Sequence, residues 1–207
     1  IVFWAEKFLG TPYDKDPLGV YVRRSALVAD DEVDCMYLTF RAAELALSRT
    51  PEEALEVALD KRFHSRGVVD GEKVVNYQDR FEYGEDMIRS GKWGREITPE
   101  VGRTARIRGS RGRDYYEVLS PHEAARRMGR LRSGDLLFFF KAPERRVVEE
   151  GVGHMGFVKV ETRNNEKTVF LIHAGGSKKK GGSVRKVPLA AYLEEMPFVG
   201  VKVTRFE

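Results

Sequence analysis

The sequence predicts an α+β fold, and three observations carry the prediction. Apolar residues recur at helical spacing through much of the first half of the 207-residue chain. The last third instead breaks into short β-branched and aromatic runs separated by turn residues. Two of these runs flank Asn164-Asn165, a pair suited to a tight hairpin. Helices first and strands last point to helices packed on an antiparallel sheet.

The elements follow in order. The first ten residues read as a helix, with Phe3, Trp4, Phe8 and Leu9 apolar and Gly10 as its stop. Thr11-Pro12-Tyr13 makes a turn, and an irregular stretch runs to Asp34. A helix over Met36–Ser48 places Leu38, Ala42, Leu45 and Ala46 on one face. Thr50 is an N-cap followed by proline at the first helical position, which predicts a helix to about Lys61. A third helix is expected over Val75–Ser90, stopped by Gly91. Gly94–Ser120 reads mostly as loop, with a short strand around Ala105–Arg108. Ser120 caps a further helix to about Met128, with Glu123 placed for a capping box. Strands are expected over Leu136–Phe140, Met155–Val160, Thr168–Ile172, Val184–Pro188 and Val199–Arg205, with a short helix at Ala190–Met196.

Composition sets the outer limits. With 42% hydrophobic and 33% charged residues the chain can build a sizeable core. We read residues 1–207 as one domain carrying an insertion at about 62–130. A single cysteine excludes an internal disulfide and a multi-cysteine zinc site. No apolar run reaches the roughly 18 residues that span a bilayer, so no transmembrane segment is expected. The net charge of +4 gathers at Arg103–Arg113 and at Lys178–Lys180 with Arg185 and Lys186. Such patches are either docking points for polyanions or solvated loops.

The chemistry concentrates on three residues. Cys35 stands at the mouth of an apolar helix, where unpaired N–H groups favour the thiolate. His154 and His173 lie on the two strands flanking Asn164-Asn165, so folding the hairpin brings them towards one another. One imidazole would take the thiol proton and return it to a leaving amine, and the other would hold the first in its useful tautomer. Gly153 and Gly156 flank His154 and leave room for substrate, which assigns it the base and His173 the orienter. The competing reading makes Cys35 a small buried hydrophobe and the histidines ordinary strand residues. His64 and His122 lack such company and are expected at the surface.

Phe8-Leu9-Gly10-Thr11-Pro12-Tyr13, Val33-Asp34-Cys35, Ser133-Gly134-Asp135-Leu136-Leu137, Gly153-His154-Met155-Gly156 and Leu171-Ile172-His173-Ala174 occur in that order. In this they resemble the NlpC-type cell-wall cysteine peptidases, and most closely the N-acetylmuramoyl-L-alanine amidase-like branch. The resemblance implies a papain-like fold, with Cys35 as nucleophile, His154 as base and His173 as third member. It implies that Tyr13 and Asp34 line the substrate cleft, where an aspartate before the cysteine can meet the free amine of a peptide stem. Asp34 is equally suited to capping the helix.

It further implies a peptidoglycan-derived peptide as substrate and neither metal nor organic cofactor. The chain departs from the pattern at Met36 and Tyr37, which follow the nucleophile, at Glu82, where the branch has histidine, and at Met87 and Ile88, where tryptophan is common. An exported location, periplasmic or at the cell envelope, is expected, although no signal peptide is visible; a cytoplasmic one stays open. Three other readings remain: a papain-like acyltransferase or lipid amide/ester hydrolase; a non-catalytic polyanion-binding module; and a metal held by Cys35, His154 and His173. No nucleic-acid-binding motif occurs, so no nucleic-acid partner is expected. Oligomeric state is unspecified.

Overall fold

The computed structural model describes residues 1–71 and 73–207. The chain divides into two compact units, Ile1–Glu82 with Ile172–Lys186, and Tyr83–Leu171 with Val187–Glu207.

The first unit begins with α1 (Val2–Lys7), α2 (Val20–Arg23), α3 (Cys35–Ala46) and α4 (Pro51–Lys61), then a two-residue strand pair, β1 (Val69–Asp70) with β2 (Lys73–Val74). Helix α3 packs against both α1 and α4. Ala5, Phe8, Phe40, Ala42, Ala43, Ala58 and Phe63 are buried there. Each large side chain so removed from water contributes about 1.5–3 kcal/mol. Local sequence fixes the helix starts. The Asp34 carboxylate accepts from Tyr37 N at 2.8 Å, and the Thr50 hydroxyl accepts from Glu53 N at 3.2 Å.

The second unit opens with α5 (Gly84–Ser90), β3 (Arg95–Glu96), α6 (Thr98–Val101), β4 (Ala105–Arg108), β5 (Tyr115–Val118) and α7 (Pro121–Arg127). Strands β6 (Leu136–Lys141), β7 (Val152–Arg163), β8 (Glu166–Ser177) and β9 (Gly181–Pro188) follow, then α8 (Leu189–Glu195) and β10 (Phe198–Arg205). The large sheet has strand order β3-β10-β6-β7-β8-β9. The second half of β8 and most of β9 belong to the first unit. One apolar cluster of the second unit joins Ile97, Leu119, Leu137, Phe139, Val158, Leu189, Leu193 and Val201. Strand β6 is buried along Leu136–Phe140, as its unbroken apolar run requires.

Several expectations are corrected. Val75–Ser90 is not one helix. A short 3₁₀ turn at Tyr77–Asp79 is followed by extended chain, because Phe81 N donates to Arg62 O at 2.8 Å and Arg80 bridges Phe63. Helix α5 starts only at Gly84, and Gly91 stops it with φ +70°. Gly94–Ser120 holds a β-hairpin as well as loop. Arg106 pairs with Glu117 across it and stacks 4.1 Å above the Tyr115 ring, so cross-strand partners stabilise an arginine-rich strand. The capping box at Ser120 is half made: Ser120 accepts from Glu123 N, while the Glu123 carboxylate turns to Arg103 N. His64 and His122 are exposed, as expected.

Candidate active site

Three segments of the first unit knit together around the start of α3. Pro12 and Tyr13 bridge Ser183 and Val33 respectively. Val33 N donates to Pro12 O at 3.0 Å, and Tyr13 N donates to Gly182 O at 2.9 Å. Glycine permits this closeness: a Cβ at Gly176 would lie 2.6 Å from Tyr13 Cγ, and one at Gly182, with φ +147°, would lie 2.0 Å from Gly175 O. The result sets Tyr13 beside the Asp34-Cys35 pair. Cys35 is the first residue of α3 and is half-buried, and its carbonyl accepts from the Thr39 hydroxyl at 2.8 Å.

Two carboxylates and one ammonium dominate the electrostatics there. Asp14 is 1% exposed and accepts from Asp16 N at 2.8 Å and Val20 N at 2.7 Å. Lys178 Nζ lies 3.4 Å from Asp34 Oδ2, 4.0 Å from Asp14 Oδ2 and 5.7 Å from the Tyr13 ring centroid. Burial pushes Asp34 above the ordinary carboxylate range, against the opposing pull of Lys178 and the Tyr37 N–H. Burial also raises the Tyr13 phenol, helped by negative charge at Cys35, Asp34 and Asp14, so Tyr13 is a hydrogen-bond donor at neutral pH.

His173 belongs to the same unit, on the second half of β8, and is 7% exposed. Burial lowers its pKa to about 4, with the Arg185 charge adding to the shift. Its ring is therefore neutral at physiological pH, with one nitrogen donating and the other accepting. The ring lies against Gly175, where a Cβ would come 3.0 Å from His173 Cε1 and 3.5 Å from Arg185 Nε.

His154 belongs to the second unit. It pairs with Phe139 across β6 and β7, and the register slips between Phe139 and Phe140 so that Gly153 forms a bulge. Its half-buried ring lies 6.2 Å from Phe139, 6.1 Å from Tyr192 and 6.4 Å from Phe198, nearly parallel to the last. The bulge is anchored upstream. Glu85, 1% exposed, accepts from Gly151 N at 2.9 Å and Val152 N at 3.0 Å.

The structure thus places Tyr13, Asp34, Cys35 and His173 in one unit and His154 in the other. Sequence reasoning missed Asp14 and Glu85, and read Lys178 and Arg185 only as part of a basic run. Three arginines of the other run are paired: Arg111 and Arg113 share Asp86, and Arg106 meets Glu117. Tyr37 is buried; its hydroxyl donates to Asp30 at 2.7 Å and accepts from Ala29 N at 2.5 Å. Among the described residues, no group of three or more His, Cys, Asp or Glu is placed to hold a metal ion. Among the same residues, no helix is long and apolar enough to cross a membrane.

No protein-family model matches the sequence, and no curated protein matches it. Solved structures do share the fold. A protein from Bacteroides fragilis designated a candidate xylanase superposes with a TM-score of 0.71 at 18% identity, covering 98% of this chain and 99% of its own. An N-acetylmuramoyl-L-alanine amidase from Bacteroides uniformis ATCC 8492 gives 0.71 at 20% identity, covering 97% and 96%. A Legionella pneumophila protein of the DUF1460 family model gives 0.67 at 14% identity, covering 98% and 86%. At such identities the likeness establishes the fold; the names attached to that fold, one for glycosidic and one for amide bonds, leave the reaction to the site.

Proposed function

We propose that the chain is a cysteine-dependent amide hydrolase acting on peptidoglycan-derived peptides. Cys35 is the nucleophile, His154 the general base, His173 its orienter, and Tyr13 and Asp34 line the substrate position. One observation carries the reading: the chain's sole thiol is half-buried at the first turn of a 12-residue helix, beside Tyr13 and Asp34. Unpaired N–H groups at that turn favour a thiolate and can hold an oxyanion. The neutral ring of His173 suits a residue that fixes a tautomer, since it can accept the N–H of a partner imidazole. The amidase from Bacteroides uniformis, similar over nearly its whole length, supports an amide substrate.

In this scheme His154 takes the Cys35 proton. The thiolate attacks the amide carbonyl, and the negative charge moves to its oxygen. The C–N bond breaks as the His154 imidazolium protonates the departing amine, leaving a thioester on Cys35. His154 then deprotonates a water that attacks the thioester, releasing the carboxylic acid and the free thiol. The scheme requires the His154 ring to meet the Cys35 sulfur.

An acyl-lipid substrate has less support. Of the residues to examine for it, Met36, Tyr37 and Phe138–Phe140, all but the half-buried Met36 are buried. A glycosidase reading fares no better at this site. It needs an acid and a carboxylate flanking one bond, whereas Asp14 and Asp34 converge on one lysine and are engaged by backbone N–H groups.

Incubation with purified muropeptides, read by mass spectrometry, tests the proposal. The expected result is paired products whose masses sum to substrate plus one water, abolished by Cys35→Ala. Products that survive Cys35→Ala, or intact muropeptides throughout, would overturn it.

A further inference from the structure

We infer that Lys178 is a specificity-determining residue: its ammonium fills the place that a ligand's free amine would take at Asp34, so the site accepts stem peptides whose first nitrogen is acylated. The inference rests on the amide-hydrolase reading above. A carboxylate one residue before the nucleophile can receive an ammonium from substrate. Here that carboxylate already faces one. Lys178 Nζ is 3.4 Å from Asp34 Oδ2 and reaches towards Asp14 Oδ2 at 4.0 Å.

The contacts already made support the substitution of one cation for the other: the Lys178 ammonium faces both Asp34 and Asp14. Asp14 is committed to the backbone of Asp16 and Val20, so it cannot move to meet a second cation. Asp34 is committed through Oδ1 to Tyr37 N, and its Oδ2 is the oxygen that faces Lys178. An incoming ammonium must therefore displace Lys178 or sit beside it, against like-charge repulsion. An acylated nitrogen is neutral and meets neither penalty.

Lys178 lies in the tight connection between β8 and β9, where Ser177 Oγ accepts from Lys180 N at 3.1 Å. Its ammonium lies 5.7 Å from the Tyr13 ring centroid, and its side chain is 32% exposed. A methionine there keeps the apolar stem and removes the charge. In chemical terms, the favoured substrate still carries an acyl group on the stem's first residue, as a sugar-linked stem does, while a released stem peptide is disfavoured.

Calorimetric binding of L-alanyl-D-isoglutamine and of its N-acetyl derivative tests this, using Cys35→Ala protein so that nothing is turned over. With Lys178 in place, the N-acetyl compound should bind more tightly. With Lys178→Met added, the free-amine compound should gain about tenfold, one charge-assisted contact, while the N-acetyl compound changes little. Lys178→Arg should retain the native preference. Both compounds binding with a ratio that Lys178→Met leaves unchanged would overturn the inference and leave the hydrolase reading standing. Failure of both compounds to bind any of these proteins would overturn both.

Discussion

Helix α3 carries two ion clusters of opposite character, one along its body and one at its start. Along the body, Arg62 places Nε 2.5 Å and Nη2 2.7 Å from Glu44, and Nη2 also donates to Leu27 O at 2.7 Å. Arg41 grips Asp30 at 2.8 and 3.0 Å, and Tyr37 adds its hydroxyl to the same carboxylate. The Arg62 guanidinium also lies 5.1 Å from the Tyr37 ring centroid. At the start of the helix, by contrast, two carboxylates share one lysine at 3.4 and 4.0 Å. The first cluster is densely bonded, although Arg62 Nη1 is buried without a hydrogen-bond partner, and it clamps the loop before Asp34 to the helix that bears Cys35. The second is more loosely held, with Lys178 part-exposed and Asp14 buried. Charge that fixes structure is here held by several short contacts, and the charge beside Cys35 meets its lysine only at 3.4 and 4.0 Å.

That contrast predicts a ranking of effects. Glu44→Ala leaves the buried Arg62 guanidinium without a carboxylate, while Arg41 keeps Asp30, and should cost about 3–5 kcal/mol in urea unfolding. A loss under 1 kcal/mol would mean that the body cluster is ornamental. His173 gives the next effect, through pH. Its folded pKa is about 4 against an ordinary 6.5, so the unfolded chain binds more protons between those values. Stability should therefore rise with pH across about 4 to 6.5, by about 3 kcal/mol in total. His173→Asn should flatten that slope, which a pH series of unfolding curves would show.

Glu85→Gln replaces one oxygen that accepts a buried backbone N–H with a donor, at a cost of about 1–3 kcal/mol. Because the bulge before His154 hangs on that carboxylate, turnover should fall more than substrate affinity. Lys178→Met comes last in stability, within about 1 kcal/mol, since its ion pair is long and partly exposed. Its effect should show in ligand preference. If Lys178→Met destabilises as much as Glu44→Ala, the contrast between the clusters is false.

What the sequence discloses follows the range of each interaction. The caps at Asp34, Thr50 and Ser120 were legible because each side chain bonds an N–H three residues on. The Asn164-Asn165 turn was legible because asparagine tolerates positive φ, here +50° and +64°. The failures are non-local. Nothing near Val75–Ser90 announces that Phe81 will bond Arg62, and nothing near Arg106 shows that Tyr115 will lie beneath it. The site divides in the same way. Tyr13, Asp34 and Cys35 stand in recognisable short motifs. Lys178 reaches Asp34 across 144 positions, and its run of three lysines reads as a solvated turn.

The central claim is an activated thiol at Cys35, and its alkylation rate by iodoacetamide as a function of pH tests that claim most directly. The account predicts that Cys35 reacts faster than a model thiol near neutral pH, and that His154→Ala slows the reaction. A rate no greater than that of the model thiol, unaffected by His154→Ala, would contradict it.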